Sequence, residues 1–325
     1  MKRTIKIKFV DFWKTFSPED FIITKILKTK YNVQITENAD YVFFSSFGLQ
    51  HLDTPDQCIK IFYTGEDECP DFNLCDYAIS FEWLNFGDRH LRVPLYNMMS
   101  SYIDKTLLME RKHEMNNINE KTSFCSFVVS NSSGNPIRKE LFDIISAYKK
   151  VDSGGKYLNN IGGPIKDKLA FDKMHKFVIA CENGSHIGYT TEKIVEAFAA
   201  QTIPIYWGDP NITKIFNPKA FINVSDYPSI EEVVERIKQI DQDDDLYAKI
   251  LKEPALQSSD FSQDNQIKKI SDFLDNIISQ PLDIARRHNR GFWQNRYLTD
   301  RIIMRNNKDK NKYYYLKKML GINVK

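Results

Sequence analysis

The sequence predicts an α/β protein made of two Rossmann-like domains followed by a basic helical tail, and three observations lead there. Short apolar runs of strand length alternate with amphipathic, helix-length segments in both halves of the chain. One stretch, Phe177 to Pro210, reads as a complete strand–loop–helix–strand unit. The 325 residues suffice for two hydrophobic cores, and 42% hydrophobic with 27% charged residues is ordinary globular composition.

In the first half, strands are expected near 4–10, 32–36, 40–44, 59–63 and 77–80, with a helix opening at Ser17-Pro18-Glu19-Asp20. Residues 97–122 are rich in Lys, Glu and Asn and read as the join, which divides the chain into domains at 1–120 and 121–280 and a tail at 281–325. The second half offers a strand at 124–129, a helix from Pro136 to about Tyr148, and helices at 229–240, 244–252 and 264–278. The run Asp241-Gln242-Asp243-Asp244-Asp245 lies between two helices and reads as a solvated linker with an N-cap, not a metal-binding Asp-x-Asp.

Composition narrows the class. No apolar run approaches the ~18–20 residues of a membrane span, and the alternating Met1-Lys2-Arg3-Thr4-Ile5-Lys6-Ile7-Lys8 reads as a first strand, not a signal peptide. Five cysteines form no CxxC pair, which argues against a disulfide framework or zinc site and fits a cytoplasmic location. Residues 281–325 carry twelve Lys and Arg against three Asp, a balance of +9, leaving −7 on the rest of a chain of net charge +2. Basic residues there interleave with Phe292, Trp293, Tyr297 and Tyr313-Tyr314-Tyr315. This suits either an anionic inner-membrane surface or a terminal helix packed on the body; nothing in the chain suggests nucleic acid.

The strand Phe177 to Ala180 leads into a polar loop, and Thr190 or Thr191 can cap the helix after it. Backbone amides and Lys193 therefore meet at a helix N-terminus, a place suited to a diphosphate. Trp207, after the strand Ile203 to Tyr206, reads as core.

These residues resemble the α-1,3/4-fucosyltransferases, inverting enzymes that use GDP-fucose, and in particular bacterial members of Helicobacter type. The motif elements are Glu182-Asn183, Tyr189-Thr190-Thr191-Glu192-Lys193 and Pro204-Ile205-Tyr206-Trp207-Gly208, with Cys181 where the family has phenylalanine. The match continues through Ser130-Asn131, Asn135-Pro136-Ile137-Arg138 and Phe62-Tyr63-Thr64-Gly65-Glu66. The resemblance implies the glycosyltransferase B architecture, two facing Rossmann-like domains with the ligand between them. It also implies α-1,3 transfer of fucose to the N-acetylglucosamine of a Gal-β-1,4-GlcNAc acceptor such as N-acetyllactosamine, giving a Lewis x type product. Glu66 matches the family's base, with Glu82 as second choice. Arg138 and Lys193 would hold the diphosphate in place of a divalent metal, so no metal or other cofactor is expected. Asn183, Tyr189 and Glu192 complete the expected donor set. Two other classes stay open: a transferase of the same architecture using another nucleotide sugar, and a non-catalytic carbohydrate- or nucleotide-binding protein.

Overall fold

The computed structural model describes residues 2–114, 120–288 and 291–307. The chain divides into two compact units, one made of residues 1–80, 84–92 and 271–325, the other of 81–83 and 93–270.

In the first unit, β1 (Thr4–Val10), α1 (Ile22–Lys30), β2 (Asn32–Ile35), β3 (Tyr41–Phe44), β4 (Ile59–Tyr63), β5 (Tyr77–Ser80) and β6 (His90–Arg92) follow in order. The strands form one parallel sheet, β2-β1-β3-β4-β5-β6. Every residue of β3 and β4 is buried, as expected of interior strands covered on both faces. Val42, Phe44, Phe62 and Ala78 pack together on one face. Phe9, Phe12, Phe16, Phe21 and Phe43 form a ring cluster, with Phe9 and Phe43 stacked at 5.3 Å and Phe12 and Phe16 at 4.0 Å. That cluster moves the start of α1. Ser17 spends its hydroxyl on Asp20 (2.8 Å) in a turn, and the helix begins at Ile22 after the buried Phe21, not at the Ser-Pro signal.

The second unit contains α2 (Ser100–Glu110), β7 (Ser123–Phe127), α3 (Ile137–Tyr148), β8 (Val151–Ser153), α4 (Lys168–Lys173), β9 (His175–Cys181), α5 (Glu192–Ala199), β10 (Ile203–Trp207), β11 (Ile222–Asn223), α6 (Ile230–Gln242), α7 (Asp244–Leu251) and the first half of α8 (Gln263–Ser279). Its sheet is parallel, in the order β11-β10-β9-β7-β8. Residues 97–122 are not a join. The described part of them belongs to this unit, where α2 packs on α5 and Lys105 pairs with Glu196. Lys112, fully buried, donates to the Leu251 carbonyl at 2.8 Å. The apolar signal was thin because polar groups carry this packing: the Asn97 amide also donates to Gln263 (2.8 Å). Nor is the Asp241–Asp245 run wholly a solvated linker. The Asp241 side chain, 4% exposed, lies between Lys149 (2.9 Å) and Lys176 (3.2 Å), while Asp243 caps α7 through the Leu246 amide.

Beyond α8 the chain adds α9 (Leu282–Ala285) and α10 (Phe292–Asn306) to the first unit. The wholly buried Asp76 carboxylate accepts from the amides of Lys60 (2.6 Å), Arg287 and His288 (2.7 Å). His288 Nδ1 lies 2.7 Å from Asp76 Oδ2. Arg287 pairs with Asp88, Tyr297 donates to Asp71 (2.6 Å), and Arg305 pairs with Asp53 (2.5 Å). The tail therefore contacts its unit through Arg287, His288, Tyr297 and Arg305, yet Phe292 and Trp293 stay 70% and 72% exposed. The tyrosine run 313–315 lies outside the described residues. No helix among the described residues is long and apolar enough to cross a membrane.

Candidate functional site

In a parallel sheet the loops after the strand C-termini are where ligands bind, and in the second unit register decides what gathers there. Tyr206 pairs with Ala180 and Trp207 with Cys181, so the residues that follow, Gly208 and Glu182, come side by side. The Glu182 amide donates to the Trp207 carbonyl at 2.8 Å. A Cβ on Gly208 would sit 2.4 Å from Glu182 Cγ, so only glycine fits at this approach. Trp207 itself is partly buried and packs against the core.

Two successive residues at the end of β9 each hold one cation. The Glu182 carboxylate accepts from the Thr191 amide (2.7 Å), the Thr191 hydroxyl (2.6 Å) and Lys193 Nζ (3.0 Å). Asn183 Oδ1 accepts from Arg138 Nη1 at 3.0 Å, and the Asn183 carbonyl accepts from the Asn135 amide at 2.9 Å. Arg138 Nη2 donates to the Asn131 carbonyl at 2.9 Å, while its buried Nε has no hydrogen-bond partner among the described residues. Pro136, at the N-cap of α3, starts the helix that carries this side chain. Lys193 Nζ also contacts the Thr191 hydroxyl (2.8 Å) and pairs with Glu192 (3.7 Å). Burial alone would discharge this amine, but the charges of Glu182 and Glu192 outweigh it and raise its pKa, keeping it cationic. The same burial, with the Glu182 charge, pushes the Cys181 thiol up to about 12, so it stays protonated.

Thr191 does occupy the N-cap position of α5, but its hydroxyl serves Glu182 instead of a helix amide. A second buried carboxylate, Asp209, organises the loop before it. It accepts from the Gly188 amide (2.8 Å), the Thr190 hydroxyl (3.0 Å) and the Asn211 amide (2.8 Å). Tyr189 is buried with its ring edge-on to Phe81 at 5.3 Å. The structure thus brings Arg138, Asn183, Glu192 and Lys193 into one group. The sequence names Glu182 in the motif without a separate role and gives Asp209 none, although Glu182 directly follows β9 and Asp209 is the second residue after β10.

Glu66 belongs to the first unit and stands in the exposed loop after β4. Its amide donates to the Thr64 hydroxyl (2.9 Å), which is itself 2.9 Å from the Ser46 hydroxyl, and its carbonyl accepts from the Glu68 amide (2.7 Å). Glu82, in the second unit, is engaged by His186 at 3.0 Å. Among the described residues no three His, Cys, Asp or Glu side chains gather as a metal ion would require.

Comparison with known proteins supplies the family. Residues 7–99 match the model described as the α-(1,3)-fucosyltransferase FucT N-terminal domain. Residues 118–268 match that of the glycosyltransferase family 10 (fucosyltransferase) C-terminal part. The chain is 32% identical over 315 residues to the α-(1,3)-fucosyltransferase FucT of Helicobacter pylori, covering 84% of this chain and 66% of that protein. It is 34% identical over 270 residues to the protein described as "Putative fucosyltransferase R654" of Acanthamoeba polyphaga mimivirus, covering 77% of this chain and 42% of that one. The chain therefore spans less than two thirds of the length of these relatives. Crystal structures of an α1,3-fucosyltransferase with GDP and with GDP-fucose superpose at TM-scores of 0.71, with 31% identity over 86% of this chain and 91% and 92% of theirs.

Proposed function

Because the chain belongs to the glycosyltransferase family 10 fucosyltransferases, we propose that it transfers L-fucose from GDP-fucose to the N-acetylglucosamine of a Gal-β-1,4-GlcNAc acceptor, forming an α-1,3 linkage with inversion. The observation that carries the reading is the pairing of Glu182 with Lys193 and of Asn183 with Arg138, which holds two cations at the end of one strand beside a helix N-terminus. In this reading the second unit binds GDP-fucose and the first the acceptor.

The roles follow from the charge movements of the reaction. As the bond from the anomeric carbon to the diphosphate breaks, negative charge grows on GDP, and Lys193 and Arg138 stabilise it where a metal would otherwise be needed. Arg138 presents a planar fork to two oxygens and Lys193 a point charge. Glu192 accepts from ribose hydroxyls, Tyr189 contacts phosphate or fucose, and Asn183 orients the donor. Glu66 takes the proton from the attacking hydroxyl on the face opposite the leaving group. The enzyme works in the cytoplasm, with the exposed Phe292 and Trp293 and the basic tail resting on an anionic membrane surface.

One assay tests the core of this. Purified protein with GDP-fucose and N-acetyllactosamine should release GDP and give an α-1,3-fucosylated product by linkage analysis, with EDTA present or absent. Equal turnover of a UDP-sugar, or loss of activity in EDTA that Mg²⁺ or Mn²⁺ restores, would overturn the donor or the metal assignment. Co-sedimentation with vesicles of anionic and of neutral lipid tests the surface; equal binding to both removes it.

A further inference from the structure

At the C-terminal end of the first unit's sheet, Asp11 and His51 form a buried pair that the proposed mechanism does not use. Asp11 follows β1 with φ +61°, a left-handed conformation a non-glycine residue adopts only under local compulsion. Its carboxylate has no exposed surface and accepts three hydrogen bonds: from the Gln50 amide (2.8 Å), the His51 amide (2.9 Å) and His51 Nδ1 (2.7 Å). A Cβ on Gly48 would lie 2.3 Å from Asp11 Oδ1, so the loop closes over the carboxylate only with glycine there. Burial opposes the charge on Asp11, but the His51 hydrogen bond and the two amides outweigh it and hold the carboxyl below its usual range. An ionised carboxylate can only accept, so the imidazole keeps a proton on Nδ1, which leaves Nε2 as the ring's other hydrogen-bonding atom. The Phe44 ring, stacked at 4.3 Å, fixes the imidazole plane. Nε2 makes no hydrogen bond among the described residues.

His51 lines a cavity of about 110 Å³ together with Ser46, Phe62, Glu68, Asp71 and Arg301. This cavity adjoins the Glu66 loop. Ser46 is hydrogen-bonded to Thr64, which holds the Glu66 amide, and the Glu68 amide is bound to the Glu66 carbonyl. Hydroxyl, carboxylate and guanidinium groups around an aromatic wall suit one edge of a neutral polyhydroxylated ring. We propose that this cavity is a subsite for the acceptor sugar, in which His51 Nε2 hydrogen-bonds a sugar hydroxyl and Asp11 is the positioning residue that holds the ring. The proposal rests on the transferase reading above.

Two amide substitutions separate this from a purely structural role. His51→Asn keeps a donor toward Asp11 and removes the group at Nε2; His51→Gln keeps a polar group near Nε2 and loses the link to Asp11. The subsite predicts that His51→Asn, which loses the ring stacked on Phe44, still melts cooperatively, raises KM for N-acetyllactosamine about 5–10-fold, the worth of one hydrogen bond, and leaves KM for GDP-fucose unchanged. His51→Gln should melt lower yet keep an acceptor KM within about threefold of the parent. A parental acceptor KM in His51→Asn overturns the subsite. The His51 ring resonance of the unaltered protein, followed as N-acetyllactosamine is added without donor, gives an answer independent of the variants. A shift supports the subsite, and no shift at saturating sugar overturns it. If the ring shifts but no fucosylated product ever forms, the cavity binds the sugar but the transferase reading fails, and the acceptor role fails with it.

Discussion

Lys193 Nζ lies 3.0 Å from Glu182 Oε2, a carboxylate with no exposed surface. The amine proposed to meet a diphosphate is thus also the counter-charge of a buried acid. The family motif places Glu and Lys eleven positions apart, and the register of β9 with β10 and the turn into α5 bring them together.

Removing the amine should therefore do two separable things. Lys193→Ala leaves Glu182 buried with only the Thr191 donors and should cost about 3–5 kcal/mol of stability. Adding Glu182→Gln should recover much of that loss without restoring GDP binding. Thermal melting with and without GDP reads both effects; a double variant that binds GDP like the parent would remove Lys193 from the donor site.

Arg138 should tolerate lysine poorly. Its fork spans the Asn131 carbonyl and Asn183 Oδ1, which a single ammonium cannot do. Arg138→Lys should weaken GDP binding by about 1.5–3 kcal/mol, one charge-assisted hydrogen bond. Calorimetric titration with GDP checks this, and an unchanged Kd would place Arg138 outside the donor site.

For the base, Glu66→Gln preserves shape but cannot take a proton. Transfer should fall about 10²–10⁴-fold while the thermal shift with GDP-fucose persists. Near-parental turnover would pass the role to Glu82, whose engagement by His186 makes it the less free candidate.

Truncation at residue 285 should damage the fold and not only a surface. Asp76 would lose the Arg287 and His288 amides and the His288 ring from a site with no exposed surface. His288→Ala alone should cost about 1–3 kcal/mol, and the truncated chain should lose cooperative melting.

Acid should destabilise the protein in a defined window. Asp11, Asp76 and Asp241 have folded-state pKa values below the ordinary 3.8: burial opposes their charge, but hydrogen bonds and nearby cations prevail. A depressed carboxyl contributes stability above its unfolded value that is lost as pH falls through the folded one. Melting temperature should therefore stay nearly level from pH 7 to about 5 and drop below about 4. Asp172 acts in the opposite sense, since burial raises its pKa and protonation relieves it. Asp241→Asn should lower stability at neutral pH and make the acid drop shallower; a parental profile would remove Asp241 from this set.

Much of the fold and part of the candidate site were legible in the sequence by itself. Ile59–Tyr63 and Ile203–Trp207 announce themselves because interior parallel strands need apolar side chains on both faces. The Tyr189–Lys193 block is contiguous, so its resemblance can be read along the chain. Other features needed the third dimension. The start of α1 is set by Phe21 entering a ring cluster drawn from three segments, which overrides a local Ser-Pro signal. The polar stretch holding α2 looks like a linker until Asn97, Lys105 and Lys112 find partners more than ninety residues away. The Glu182–Lys193 and Asp11–His51 pairs arise where strand register and loop closure join separate segments. Local propensity and apolar periodicity act over a few residues and leave their mark in the sequence; the pairing of buried charge acts through space, and only the folded chain decides it.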